Sequence, residues 1–200
     1  GRRNATRFAI RAFNKIDGLE QLAAYSLNGK TRWAMRPASS GSMMFPNSKS
    51  FLVAHLDTPE IGARVGAPFQ PRGSKVWWTP ITYLIPNSKG EPYAILTAFM
   101  NQKTFVPLMH DAGESAAFLT GDDRLITGAP VEAAPLGASF AEAPGFAVVR
   151  GQTETNGTYE GGGLEDAAAL GQMIGYAKLA CCDAIVTSAV TIPAPPPPKG

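Results

Sequence analysis

The chain has 200 residues, of which 44% are hydrophobic and only 17% are charged, and its formal net charge is +2. This length supports one domain with a sizeable core, and so small a net charge argues neither for nor against nucleic acid. The sequence contains no run of about eighteen apolar residues free of charge, which argues against a membrane span.

Basic residues are concentrated at the amino end. Residues 1–36 contain eight Lys or Arg against two acids, and Asp17 is the first acid. We therefore predict a basic arm. Three interpretations stay open: the arm contacts an acidic partner or lipid headgroups, it contacts nucleic acid as capsid arms do, or it is a solvated leader. Its composition also fits the end of an organelle transit segment.

The first elements predicted along the chain are a helix, a connection and a strand. Asp17 and Glu20 stand at the capping-box spacing, which predicts a short helix over residues 17–27. Residues 28–50 are rich in Gly, Ser, Asn and Pro and are predicted to be a connection. The apolar run FLVAHL at residues 51–56 is predicted to be a strand.

Residues 76–100 carry the strongest pattern in the chain. Two runs rich in aromatic and β-branched residues are joined by Pro86–Glu91, a link with the Pro, Asn and Gly typical of hairpin loops. Both faces of each run are largely apolar. Because strands of this kind need cover on both sides, we predict that the hairpin is the centre of a sheet.

Two further helices are predicted in the second half of the chain. Asp111 and Glu114 again have the capping-box spacing, which predicts a helix over residues 112–119. Leu170, Met173 and other apolar residues recur at helical spacing and predict the longest helix, over residues 164–182. Strands are predicted at residues 105–109, 146–150 and 185–192.

These elements predict an α+β fold, with a mostly antiparallel sheet centred on the 76–100 hairpin, two or three helices and long loops rich in proline and glycine. The basic arm with a short helix would cover residues 1–36, and a single domain would cover residues 37–192. The proline-rich segment 193–200 would be an extended tail.

His55 and Asp57 are the strongest candidates for chemistry. On a strand, two residues separated by one other residue point to the same side, so this pair can share a metal ion, as in zinc-dependent aminoacylases and carboxypeptidases. His110 and Glu114 would complete a site. Histidines are more often structural, and the remaining ligands of those enzymes have no counterpart, so we predict no metal, no cofactor and no catalysis.

The cysteines and the glycine run do not add a site. Cys181 and Cys182 are adjacent, and adjacent cysteines rarely bridge because the geometry is strained. We therefore expect a compartment in which the protein does not rely on disulfides. The run Gly161–Gly163 precedes a predicted helix, but no basic residue accompanies it, so a flexible turn is favoured over an anion site.

One stretch of the chain resembles a known family. Residues 79–92, 104–108, 114–119 and 128–136 resemble, in this order, the repeat of the Tic twenty-two-like plastid import chaperones. The resemblance covers about residues 79–140. It implies a plastid protein without catalytic residues that binds other proteins.

We therefore expect a non-catalytic structural or chaperone-like subunit that binds other proteins in a larger plastid assembly. One alternative is a capsid or filament subunit, located in a virion. The other is a small metal-dependent hydrolase that uses His55 and Asp57. The residues expected to bind partner subunits lie at the two ends of the chain: Arg2, Arg3, Arg7, Arg11, Pro195, Pro196, Pro197 and Pro198.

Overall fold

The computed structural model describes residues 2–37, 50–57, 59, 62–110, 115–129, 135–161 and 172–191. Within these ranges the chain forms four α-helices and ten β-strands, which divide between two compact units. In chain order the elements are α1 (Arg2–Phe13), β1 (Leu19–Ser26), β2 (Thr31–Met35), α2 (Ser50–Asp57), β3 (Ala63–Val65), β4 (Trp78–Pro86), β5 (Pro92–Asn101), α3 (Val106–His110), β6 (Ser115–Thr120), β7 (Leu125–Ala129), α4 (Pro144–Gly151), β8 (Asn156–Gly161), β9 (Gln172–Leu179) and β10 (Ala184–Thr191).

The first unit comprises Gly1–Phe105 and Cys181–Asp183. Its five-stranded antiparallel sheet has the order β2-β1-β5-β4-β3, so β5 lies at the centre. The predicted 76–100 hairpin is confirmed as β4 and β5. Asn87 stabilises its loop, because its Oδ1 accepts hydrogen bonds from the backbone N–H groups of Lys89 and Glu91. Gly90 supplies the positive φ of 84° that the turn requires.

Helices of the first unit pack on both faces of this sheet. Ala9 of α1 is fully buried in a cluster with Leu19, Leu22 and Met100. Phe51 and Leu52 of α2 pack with Tyr25, Ile95, Phe99 and other residues in a second cluster. Cover on both faces explains why the hairpin strands are apolar on both faces.

The second unit comprises Val106–Ala180 and Ala184–Gly200. Its five-stranded antiparallel sheet has the order β7-β6-β10-β9-β8. Pro144 begins α4, where its missing N–H and fixed φ suit a first helical turn. Phe146 and Val149 of this helix are fully buried against the sheet residues Leu119 and Leu125.

The predicted α+β class is confirmed, but the chain forms two antiparallel sheets where one was expected, and the predicted helix positions are wrong. Residues 19–26, 115–120 and 172–179 are strands and residues 180–182 are a turn, whereas residues 112–114 and 164–171 of the predicted helices lie outside the described residues. The cause is clearest in β1, where six of eight residues are buried. A strand covered on both faces does not alternate between apolar and polar residues. Its apolar residues therefore also match a helical spacing.

The opposite error occurs at three predicted strands. Residues 51–56, 105–109 and 146–150 fall largely in α2, α3 and α4. Each is a short apolar run, and periodicity does not separate a buried strand from a buried helix at that length. The predicted strand at 185–192 is confirmed as β10.

The basic amino end folds as part of the first unit. We expected residues 1–36 to be a basic arm with a short helix, yet α1 buries Ala9 and is followed by two strands of the sheet. The expected single domain over residues 37–192 stays a prediction, and the tail at 193–200 lies outside the described residues.

Candidate functional site

The candidate site lies in the first unit, on the face of the sheet that α2 covers. Arg64 of β3 is the cross-strand partner of Thr82 on β4, and Thr82 is the partner of Thr97 on β5. Directly opposite residues of antiparallel strands share one face. Both threonines are buried, with exposed fractions of 1% and 0%. The sheet therefore presents a row of polar side chains beneath α2.

His55 of α2 reaches this row. Its side chain is completely buried, and its Nε2 lies 2.8 Å from Thr82 Oγ1. The Thr82 hydroxyl also lies 3.3 Å from the carbonyl oxygen of Arg64. Its one proton goes either to that carbonyl or to His55 Nε2, and the imidazole tautomer decides which.

The surroundings of His55 shift its pKa. Burial lowers the pKa of His55 below its ordinary value, the positive charge of Arg64 lowers it further, and a hydrogen bond with the Thr82 backbone opposes the shift. The shift favours the neutral imidazole, in which one ring nitrogen carries the proton and the other a lone pair.

Two polar atoms of this face have no hydrogen-bond partner among the residues that the structure describes. They are His55 Nδ1 and Thr97 Oγ1. A buried polar atom without a partner costs about 1–3 kcal/mol, so such atoms are rare in folded proteins. A small polar ligand on this covered face would supply the missing hydrogen-bond partners of the ring nitrogen and the hydroxyl.

Aromatic side chains pack on the same face of the sheet. Phe51 contacts the rings of Tyr25 and Phe99 edge to face, with centroid distances of 5.8 Å and 5.5 Å. Burial raises the pKa of the Tyr25 phenol to about 12, so the hydroxyl stays protonated. In an environment with few polar atoms, each hydrogen bond to a ligand is stronger than it would be in water.

Arg36 and Glu20 form a separate, satisfied cluster. Arg36 Nη2 lies 3.5 Å from Glu20 Oε2, and the guanidinium lies 5.3 Å from the centroid of the Trp78 ring. Glu20 also accepts a hydrogen bond from Asn101 Nδ2 at 2.9 Å. These contacts fix the position of Arg36, so this side chain has a structural role.

The candidate metal pair, His55 and Asp57, does not form. Successive helical residues are rotated by about 100°, so residues two apart on α2 point in widely different directions. His55 is buried, whereas Asp57 is exposed. His110 lies in α3, and Glu114 falls outside the described residues. Within the described part of the chain, no group of three His, Cys, Asp or Glu side chains is placed to hold a metal ion.

The residues expected to bind partner subunits are distributed as follows. Arg2 and Arg3 lie in the first turn of α1, and Arg7 and Arg11 are exposed on the same helix. Pro195, Pro196, Pro197 and Pro198 lie outside the described residues. Their role in partner binding stays a prediction.

No helix within the described ranges is both long and apolar enough to cross a membrane.

Sequence reasoning singled out His55 but missed both threonines of the site. Their one signal is that Thr82 and Thr97 interrupt apolar strand runs with a hydroxyl. Thr79 gives the same signal on the same hairpin, yet its hydroxyl donates to Gln102 Oε1 at 2.7 Å. The sequence therefore did not separate an unsatisfied threonine from a satisfied one.

Neither a protein-family model nor a curated protein matches the chain. Solved structures with the same fold do exist. The extracellular domain of the histidine kinase rpHK1S-Z16 is 18% identical, with a TM-score of 0.61 over 93% of this chain and 76% of that one. The periplasmic sensory domain of the Campylobacter jejuni chemoreceptor Tlp1 is 12% identical, with a TM-score of 0.61 over 96% and 79%.

A third similar structure was solved with a ligand. The ligand-binding domain of the Pseudomonas aeruginosa amino acid chemoreceptor PctB, in complex with L-Arg, is 11% identical and has a TM-score of 0.55. The match covers 94% of this chain and 72% of that one. The chain thus shares its fold with the sensory domains of membrane receptors.

This shared fold overturns the function expected from the sequence. The expectations of a chaperone-like plastid subunit and of a capsid or filament subunit are wrong. The expected plastid or virion location is also wrong, because these neighbours are extracellular or periplasmic domains. The resemblance over residues 79–140 itself stays a prediction, although its expected helix at 114–119 is largely strand β6.

Proposed function

We propose that this chain is a sensory domain that lies outside the cytoplasmic membrane and binds a small polar ligand on the α2 face of its first sheet. The proposal rests on two buried atoms, His55 Nδ1 and Thr97 Oγ1, which have no hydrogen-bond partner among the described residues. The fold shared with receptor sensory domains supports it. In this role the chain is non-catalytic and passes its signal to a partner protein.

The chemistry of the two atoms narrows the ligand. With its proton on Nε2, neutral His55 accepts a hydrogen bond at Nδ1 from an N–H or O–H donor of the ligand, and in the other tautomer Nδ1 donates to a ligand acceptor. The Thr97 hydroxyl either donates or accepts. Amino acids carry an ammonium donor and carboxylate acceptors, and one domain of this fold was solved with L-Arg and also with L-Gln. An amino acid or a similar small amine therefore fits the site best.

The test is isothermal titration of the whole chain with a panel of amino acids that includes L-Arg and L-Gln. We expect at least one to bind, and we expect Thr97→Val to weaken it about tenfold, since one lost hydrogen bond is worth about 1.4 kcal/mol. The same substitution should leave the melting temperature unchanged or slightly raised, because it removes an unsatisfied polar atom and keeps the shape.

Thr79→Val is the matched control. Thr79 is equally buried in the same sheet, but its hydroxyl is already bonded to Gln102 and its strand neighbours place it on the α1 face. This variant should lower the melting temperature and keep ligand affinity. If no amino acid binds the wild type, or if both variants bind as tightly as the wild type, the proposed site is wrong.

A further inference from the structure

Cys181 and Cys182 occupy the turn between Leu179, the last residue of β9, and Ala184, the first of β10. Cys181 is exposed and Cys182 is half-buried. Their Sγ atoms lie 2.8 Å apart, whereas a disulfide bond measures about 2.05 Å. Two adjacent cysteines in an extended strand point to opposite sides, so the turn is what brings the two sulfurs together.

The backbone around the two sulfurs is held in place. The carbonyl oxygen of Cys182 accepts a hydrogen bond from the N–H of Val65 at 3.0 Å. Asp183 forms an ion pair with Arg64 at 3.1 Å and has a positive φ of 50°. A turn fixed on this side cannot easily separate the two cysteines.

We propose that Cys181 and Cys182 are a redox-active pair that closes a disulfide bond within the turn. The proposal rests on the proposed function for its compartment, because disulfides form and persist outside the cytoplasm. Such a bond closes a small ring that contains the peptide bond between the two residues. Strained, exposed disulfides are the readily reduced ones, so we expect a reversible modification.

The reaction balances with a disulfide oxidant such as glutathione disulfide. The Cys181 thiolate attacks one glutathione sulfur, which breaks that disulfide and releases one glutathione. Cys182 then attacks the Cys181 sulfur, forms the new S–S bond and releases the second glutathione. The protein pair loses two electrons, the oxidant gains them, and the two thiol protons end on the two glutathione molecules.

The environment of each thiol decides which reacts first. Burial raises the pKa of Cys182 to about 12, with further contributions from its hydrogen bond to Cys181 and from the charge of Asp183. Cys182 therefore holds little thiolate at neutral pH. The exposed Cys181 is the sulfur that an external oxidant reaches, and Cys182 is the resolving thiol.

The experiment treats the reduced whole chain with glutathione disulfide, alkylates the remaining thiols and measures the intact mass. The wild type should lose two hydrogen atoms, carry no alkyl group and no glutathione, and regain both alkylation sites after mild dithiothreitol. Cys181→Ser and Cys182→Ser are the matched controls. Cys182→Ser should keep a glutathione adduct on Cys181 or form a disulfide-linked dimer, whereas Cys181→Ser should react little and keep its one thiol open to alkylation.

A second probe reports the reduced pair directly. Phenylarsine oxide binds closely spaced dithiols, so it should bind the reduced wild type and neither serine variant. The inference is overturned if the oxidised wild type keeps a stable glutathione adduct, or if both thiols remain open to alkylation. The amino acid titration does not involve these thiols. A negative oxidation experiment therefore does not count against the amino acid site, and a negative titration does not count against the disulfide.

Discussion

His55 Nε2 lies 2.8 Å from Thr82 Oγ1, and both side chains are buried on one face of the first sheet. This contact holds the imidazole of α2 against the sheet, while His55 Nδ1 has no hydrogen-bond partner among the described residues.

The first prediction concerns pH. The pKa of folded His55 lies below the ordinary 6.5, chiefly because the side chain is buried. Below about pH 6.5 the unfolded chain binds a proton at residue 55 that the folded chain does not, so the free energy of unfolding falls as pH falls. The slope reaches at most about 1.4 kcal/mol per pH unit for one proton.

The measurement is urea unfolding of the wild type and His55→Gln at about pH 7.5 and about pH 5.5. The substitution changes the Thr82 contact at both pH values, so the informative quantity is the difference between the two values for each protein. We expect the variant to lose less stability on acidification. Equal losses would show that His55 titrates in the folded state as it does in the unfolded chain.

The second prediction concerns the central hairpin. Ile95 on β5 is completely buried, so Ile95→Asp places an unpaired charge in the core at a cost of several kcal/mol, comparable with the whole stability of a domain. We expect loss of the cooperative thermal transition in circular dichroism. Tyr83→Asp on β4 is the control, since Tyr83 is 44% exposed. Similar melting of both variants would mean that β5 is not central.

The third prediction concerns α1. Ala9 has no exposed surface, whereas the next residue, Ile10, is 48% exposed. Ala9→Glu should lower the melting temperature strongly, because it buries a carboxylate between α1 and the sheet. Ile10→Glu adds the same charge to the same helix and should change stability by no more than about 0.5 kcal/mol. Equal effects would show that α1 does not pack on the sheet.

The fourth prediction concerns an ion pair of the second unit. Asp123 is only 2% exposed, and its Oδ1 accepts a hydrogen bond from Arg150 Nε at 3.1 Å. Arg150→Met should cost about 1–3 kcal/mol in urea unfolding, because it leaves the buried carboxylate without this partner. Arg124 pairs with exposed Asp122 at 3.9 Å. Arg124→Met should therefore cost about 0–1 kcal/mol, and a larger loss than for Arg150→Met would contradict the assignment.

The sequence by itself determined the central hairpin and the last strand. Residues 76–100 and 185–192 are marked by local chemistry: β-branched and aromatic runs, and a loop whose Asn87 and Gly90 meet the needs of a tight turn. Turn chemistry acts over a few residues, so it can be read without knowledge of the rest of the chain.

Only the tertiary structure decided which buried runs are helices and which are strands. When both faces of a strand are covered, the hydrophobic period that separates the two disappears, as in β1. The same limit applies to the site. His55 was placed on a strand beside Asp57, but in α2 its neighbour is Thr82, far away in sequence. Whether a threonine hydroxyl is satisfied depends on what packs above it, and that is set by contacts between distant segments.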